Sequence, residues 1–292
     1  MSRQLIFIHG RAQENKDPAA LKHEWVAAWE RGLKKSGHVL PLEDKDIRFP
    51  YYGQTLWDYT RGIPQEEAAK VIIKGTQEED DLLALVGEAL EEARIKAGIP
   101  EAKVGAVASP VAQKGILNWE WVQALLKVLD SQPGLSGLSV ALATRDVHQY
   151  LNNTNFRKSI NEEVEKALSH PDEKVIVSHS LGTVVAYSII KQRNTAAKDI
   201  PLFVTLGSPL GVTAIRAGVE PIKYPSSIYD WYNAMDDRDV VALYPLIKPR
   251  FGTKPVIRNK LDVKNHTENH HGIDGYLDDE GVALEIYKAI TS

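Results

Sequence analysis

The sequence predicts an α/β fold with a mostly parallel sheet flanked by helices, and three observations predict it. Short apolar, β-branched runs recur at residues 5–8, 174–177, 202–206 and 228–234, each the length of a strand buried on both faces. Helical periodicity separates them, as in residues 17–36, where Leu21, Trp25, Ala28, Trp29 and Leu33 fall on one face. At 292 residues and 43% hydrophobic, the chain is long enough to bury a substantial core in one domain with an insertion.

In chain order, the first strand begins near Leu5 and ends at His9-Gly10, and Gly37 ends the helix that follows. Residues 39–52 are apolar in places but broken by charges and by Pro50, which predicts a weak second strand leading into Tyr51-Tyr52-Gly53. From about Gln54 to Thr144 the strand-then-helix alternation stops. Thr76-Gln77-Glu78-Glu79 resembles a capping box opening a helix through Lys96, with Leu82, Leu85, Val86, Ala89 and Ala93 on one face. Another helix is expected over residues 119–129, a loop at Pro133-Gly134, and one helix over 145–169 that leads into the next strand. A final strand is expected near 255–259, after a Pro-rich connection.

The chemistry concentrates at the end of the run 174–177. There the strand passes through Ser178-His179-Ser180-Leu181-Gly182 directly into a helical pattern. A sharp strand-to-helix turn projects a serine hydroxyl from the backbone and aims the next amide at the same space. Such a turn crowds the positions two before and two after the serine. Gly182 meets that demand, and Ser178 makes the motif a small-residue variant of G-x-S-x-G. Downstream come Thr205-Leu206-Gly207-Ser208-Pro209, then acids at Asp236, Asp237 and Asp239, then a polar loop with His266, His270 and His271.

These segments together resemble the α/β-hydrolase superfamily, and its lipase- and esterase-like members in particular. The order serine, acid, histidine is that family's order, and His9-Gly10 is similar to the His-Gly that ends its early strand. The resemblance implies a serine hydrolase cleaving a carboxylic ester, with Ser180 as nucleophile, His271 as base and Asp239 as acid. It implies an oxyanion hole built from the amides of Arg11 and Leu181. Asp236, Asp237 and His270 stand as alternatives for acid and base. It also implies that the insertion 54–144 forms a lid or pocket wall, with Trp57, Tyr59, Trp119 and Trp121 as candidate lining. His9, Gly10 and His179 are further candidates for contact with a small-molecule ester or acyl substrate. Acyl transfer or thioester hydrolysis would use the same groups, and a non-catalytic binding protein of this fold is the remaining alternative.

Composition narrows the partners. Formal net charge is −4, from 35 basic and 39 acidic residues that are interspersed along the chain, so no basic footprint points to nucleic acid. With no cysteine, neither disulfides nor a thiol nucleophile is available. The spacing H-x-x-x-H-H lacks the helical H-E-x-x-H context, so neither a metal nor another cofactor is expected. No apolar run approaches the roughly 20 residues that span a bilayer, and none resembles a leader, so stable membrane insertion is not expected and the expected location is cytoplasmic.

Overall fold

The computed structural model describes residues 3–11, 13, 16–60, 77–108, 114–116, 118–193 and 198–292. Its strands are β1 (Arg3–Ile8), β2 (Ile47–Arg48), β3 (Glu173–His179), β4 (Ile200–Leu206), β5 (Ile228–Ala234) and β6 (Arg258–Lys260). They form one sheet in the order β2-β1-β3-β4-β5-β6, and every neighbouring pair is parallel. Parallel strands need crossovers that cover both faces, which is why their sequences read as continuous apolar runs.

Period-two alternation divides those runs between two layers. Leu5, Phe7, Val175, Val177, Leu202 and Val204 face a layer that includes α1 (Pro18–Lys35) and α11 (Glu280–Thr291). Ile6, Ile8, Ile176, Phe203 and Trp231 face the larger layer. That layer is built from α2 (Gly53–Thr60), α3 (Gln77–Lys96), α4 (Glu101–Val107), α5 (Trp119–Asp130), α6 (Gly137–Asn152), α7 (Thr154–Leu168) and α8 (Leu181–Ile190). Two short helices, α9 (Thr213–Gly218) and α10 (Ile273–Leu277), follow β4 and β6.

Local chemistry sets the boundaries. Asp17 caps α1 by accepting from Ala20 N at 2.7 Å, with Pro18 at the first helical position. The second strand is only two residues long, and Pro50, lacking an amide proton, lies just beyond it. The last strand lies later than expected, at Arg258–Lys260, clear of Pro255.

No helix begins at Thr144–Arg145. Helix α6 runs through that position to Asn152, and the single helix expected over 145–169 is two, divided at Asn153. The Asn153 side chain accepts from Phe156 N at 3.0 Å and so starts α7 where α6 ends. The expected capping start at Thr76 lies outside the described residues, as do the side chains of Trp57 and Tyr59. Among the described residues no helix is long and apolar enough to cross a membrane.

Candidate active site

Ser180 sits between β3 and α8 with φ 54° and ψ −127°, a backbone conformation that a side-chain-bearing residue adopts only when its surroundings impose it. The surroundings are explicit. Ser180 N donates to Leu206 O at 3.1 Å, and Ser180 O accepts from Thr183 N at 2.9 Å and from Thr183 Oγ1 at 2.7 Å. Gly182 is required by close approach, since a Cβ there would lie 2.3 Å from Ile8 O. Ser178, at the variant position of the motif, is fully buried and donates its hydroxyl to Val204 O at 2.9 Å. The hydroxyl is therefore satisfied within the sheet.

Two loops from later strands meet this turn. His271 Nε2 lies 2.9 Å from Ser180 Oγ, and His271 Nδ1 lies 2.7 Å from Asp239 Oδ2. An ionised carboxylate only accepts, so Nδ1 carries the proton and Nε2 is left to accept from the serine hydroxyl. Asp239 is fully buried. Its Oδ1 accepts from Val241 N at 2.8 Å and Ala242 N at 3.1 Å, and its Oδ2 accepts a second bond, from Tyr276 Oη at 2.7 Å. Burial alone would raise its pKa, but His271 and these donors hold it below the ordinary carboxylate value. Gly207 lies between the two groups at φ +55°, and a Cβ there would come within 3.1 Å of His271 Nδ1 and 3.2 Å of Asp239 Oδ2.

The alternatives occupy other roles. Asp236 is buried, accepts from Asn265 N at 2.7 Å, and pairs with Arg238 at 2.7 Å. Asn265 in turn donates to Gly272 O and accepts from Thr267, so Asp236 anchors the loop that presents His271. Asp237 is exposed. His270, at φ 55°, donates Nδ1–H to Asn265 O at 3.0 Å and so points away from Ser180. His266 joins Asp274 and Asp278 in a group whose potential ligand atoms lie within 4.8 Å of one another. Arg31 and Lys35 pair with those two carboxylates, so cationic side chains already serve them.

At the end of β1, a Cβ on Gly10 would lie 2.9 Å from Ser180 Cβ, which sets the backbone before Arg11 against the Ser180 turn. Leu181 N is the first amide of α8, where helix N-termini leave donors unfilled. Neither this amide nor that of Arg11 donates a hydrogen bond among the described residues. Two backbone donors therefore flank Ser180 with no partner among the described residues.

His9 and His179, expected as substrate contacts, are both buried beside the site and hydrogen-bonded to its backbone. His9 is fully buried; its Nδ1 donates to Gly10 O at 2.7 Å and its Nε2 accepts from Tyr52 N at 3.1 Å, so both ring nitrogens are used. Burial lowers its pKa to about 4. His179 donates Nε2–H to His271 O at 2.7 Å and is lowered to about 3, chiefly by burial and secondly by His271. Trp121 is 7% exposed within the larger core and Trp119 packs against that core. Both therefore contribute to packing of the larger layer.

Sequence reasoning missed Tyr276 as a partner of Asp239 and Asp236 as the anchor of the histidine loop. An aromatic five positions beyond His271 was a signal for the first; nothing local signalled the second. Compared with known proteins, the chain matches no protein-family model and no curated protein.

Proposed function

We propose that the protein is a serine hydrolase of the α/β-hydrolase type that cleaves carboxylic esters through an acyl-enzyme. The observation that carries this reading is the hydrogen-bonded series Ser180–His271–Asp239 beside two backbone amides that have no partner among the described residues. His271 Nε2 takes the hydroxyl proton as Ser180 Oγ attacks the carbonyl. Asp239 holds the imidazole tautomer and stabilises the imidazolium. The amides of Leu181 and Arg11 stabilise the oxyanion, with the positive end of α8 adding to the first. Protonated His271 then gives its proton to the leaving alcohol, and water, activated by the same imidazole, hydrolyses the acyl-serine.

Two further features support the reading. The strained turn at Ser180 costs on the order of 1–3 kcal/mol and is retained in spite of it, which suits a nucleophile better than an ordinary helix cap. The serine also lies at the carboxyl ends of parallel strands, where α/β sheets bind ligands. In this reading α3 to α6 form one wall of the substrate cleft: Gly134, in the loop before α6, lies against His270 Nε2, within 3.2 Å of a Cβ built there.

Labelling with a fluorophosphonate tests the proposal directly. The parent chain is expected to be labelled, and Ser180→Ala to lose both labelling and turnover of p-nitrophenyl esters, by about a thousandfold or more, while keeping its melting temperature. Equal labelling of the two chains would refute the nucleophile assignment.

A further inference from the structure

Asp146 lies on α6 and is 1% exposed. It accepts from Arg11 Nε at 2.8 Å through Oδ2, and from Arg145 Nε at 3.2 Å and Nη2 at 3.0 Å through Oδ1. Two guanidinium groups thus share one carboxylate, and the group carries a net positive charge. Among the described residues, Arg11 Nη1 and Nη2 and Arg145 Nη1 make no hydrogen bond. Held through Nε in Arg11 and through Nε and Nη2 in Arg145, the two planar guanidinium groups have their remaining donors fixed in direction.

The location ties this charge to Ser180. Arg11 follows Gly10, which lies against Ser180. Further back on α6, Val140, Ala143 and Thr144 line a small apolar cavity of about 10 Å³ with Pro209, Val240 and Val241, beside the loop of Asp239. Helix α6 therefore passes from the end of β1 to the loops after β4 and β5, and Arg145–Asp146 stands at its β1 side. Exposed Lys16 adds charge of the same sign there, close enough for its field to reach His9.

Building on the hydrolase reading, we infer that the substrate is an anionic ester, one bearing a carboxylate or phosphate near the scissile carbonyl, held by the guanidinium donors of Arg11 and Arg145 that no described residue takes up. Asp146 acts as the fixed counter-ion that orients both guanidinium groups.

The experiment compares mono-p-nitrophenyl glutarate with p-nitrophenyl valerate, matched in chain length and differing in charge. In the parent, kcat/KM for the glutarate ester should exceed that for the valerate ester by about tenfold or more at low salt, as for a charged hydrogen bond gained on binding, and the ratio should shrink as salt is raised. In Arg145→Gln the ratio should collapse towards one, and in Arg145→Lys it should be partly kept. Because Arg145→Gln unbalances a buried carboxylate, the double variant Arg145→Gln with Asp146→Asn serves as the folded comparison, and it too should lose the ratio. Equal losses on both esters would make the three residues a structural tie only, and a parent ratio of one or less would overturn the inference outright.

Calorimetric titration of glutarate into Ser180→Ala decides the subsite independently of turnover. Binding that is lost in the added Arg145→Gln change supports it even if no ester is cleaved, and absence of binding at millimolar glutarate overturns it. Failure of fluorophosphonate labelling with glutarate binding intact would strike the hydrolase reading alone.

Discussion

Asp239 accepts four hydrogen bonds while completely buried, so its ionised form depends on three donors besides His271: the Val241 and Ala242 amides and the Tyr276 hydroxyl. Of these three, Tyr276 is the side-chain donor, and its Oη also accepts from Asp236 N at 3.2 Å, so replacing it by Phe removes both bonds. Tyr276→Phe should lower kcat by about tenfold, in keeping with one hydrogen bond to a charged acceptor, with KM nearly unchanged, as steady-state kinetics on a p-nitrophenyl ester would reveal. A proportional rise in KM with constant kcat would place Tyr276 in binding instead. That Ser180, Asp239 and His271 meet was legible, because strand-end positions in a parallel sheet converge and because the motif order restricts the choice. What separated His271 from His270 was not legible. It depends on the left-handed turn at His270, which Asn265 stabilises from within the loop. Asp236 was invisible in its real role for a similar reason: its partner Asn265 is distant in sequence and meets it only once β5 and β6 are paired.

At the scale of elements, the contact between α8 and β1 decides how closely the nucleophile turn meets the strand end that precedes Arg11. Gly182 is where they touch. Gly182→Ala would put a methyl 2.3 Å from Ile8 O and 2.6 Å from His9 O, both backbone atoms that cannot swing aside. Overpacking of this kind costs about 1–3 kcal/mol, and the displacement would separate the Leu181 and Arg11 amides. The expected outcome is a lowered melting temperature together with a kcat loss larger than the stability change explains. Gly105→Ala in α4 is the control: its Cβ would meet nothing within 4 Å, and alanine favours a helix, so stability should hold or rise and activity should not change. The strands and most helices were legible because their apolar periods are strong. The breaks at Asn153 and around Pro255 were displaced or missed because asparagine capping and proline exclusion act over one or two residues, below the reach of a periodicity.

Across the whole molecule, the sheet buries its polar support as deeply as its apolar core, and this has a consequence for stability against pH. His9 and His179 are neutral in the folded protein, with pKa values lowered from 6.5 to about 4 and about 3, in each case chiefly by burial. In the unfolded chain both titrate near the ordinary value, so below it the unfolded state binds more protons than the folded state. Stability is therefore full above about pH 6.5 and falls as pH drops from there towards 4, with a slope of up to about 1.4 kcal/mol per pH unit for each histidine. His9→Asn retains a donor and an acceptor in the same pocket but cannot titrate. Urea denaturation at a series of pH values should show a shallower decline between pH 6.5 and 4 in this variant than in the parent, even where its absolute stability is lower. Parallel curves for the two chains would mean that His9 takes up its proton in the folded state, which the hydrogen bond from Tyr52 N to its Nε2 opposes.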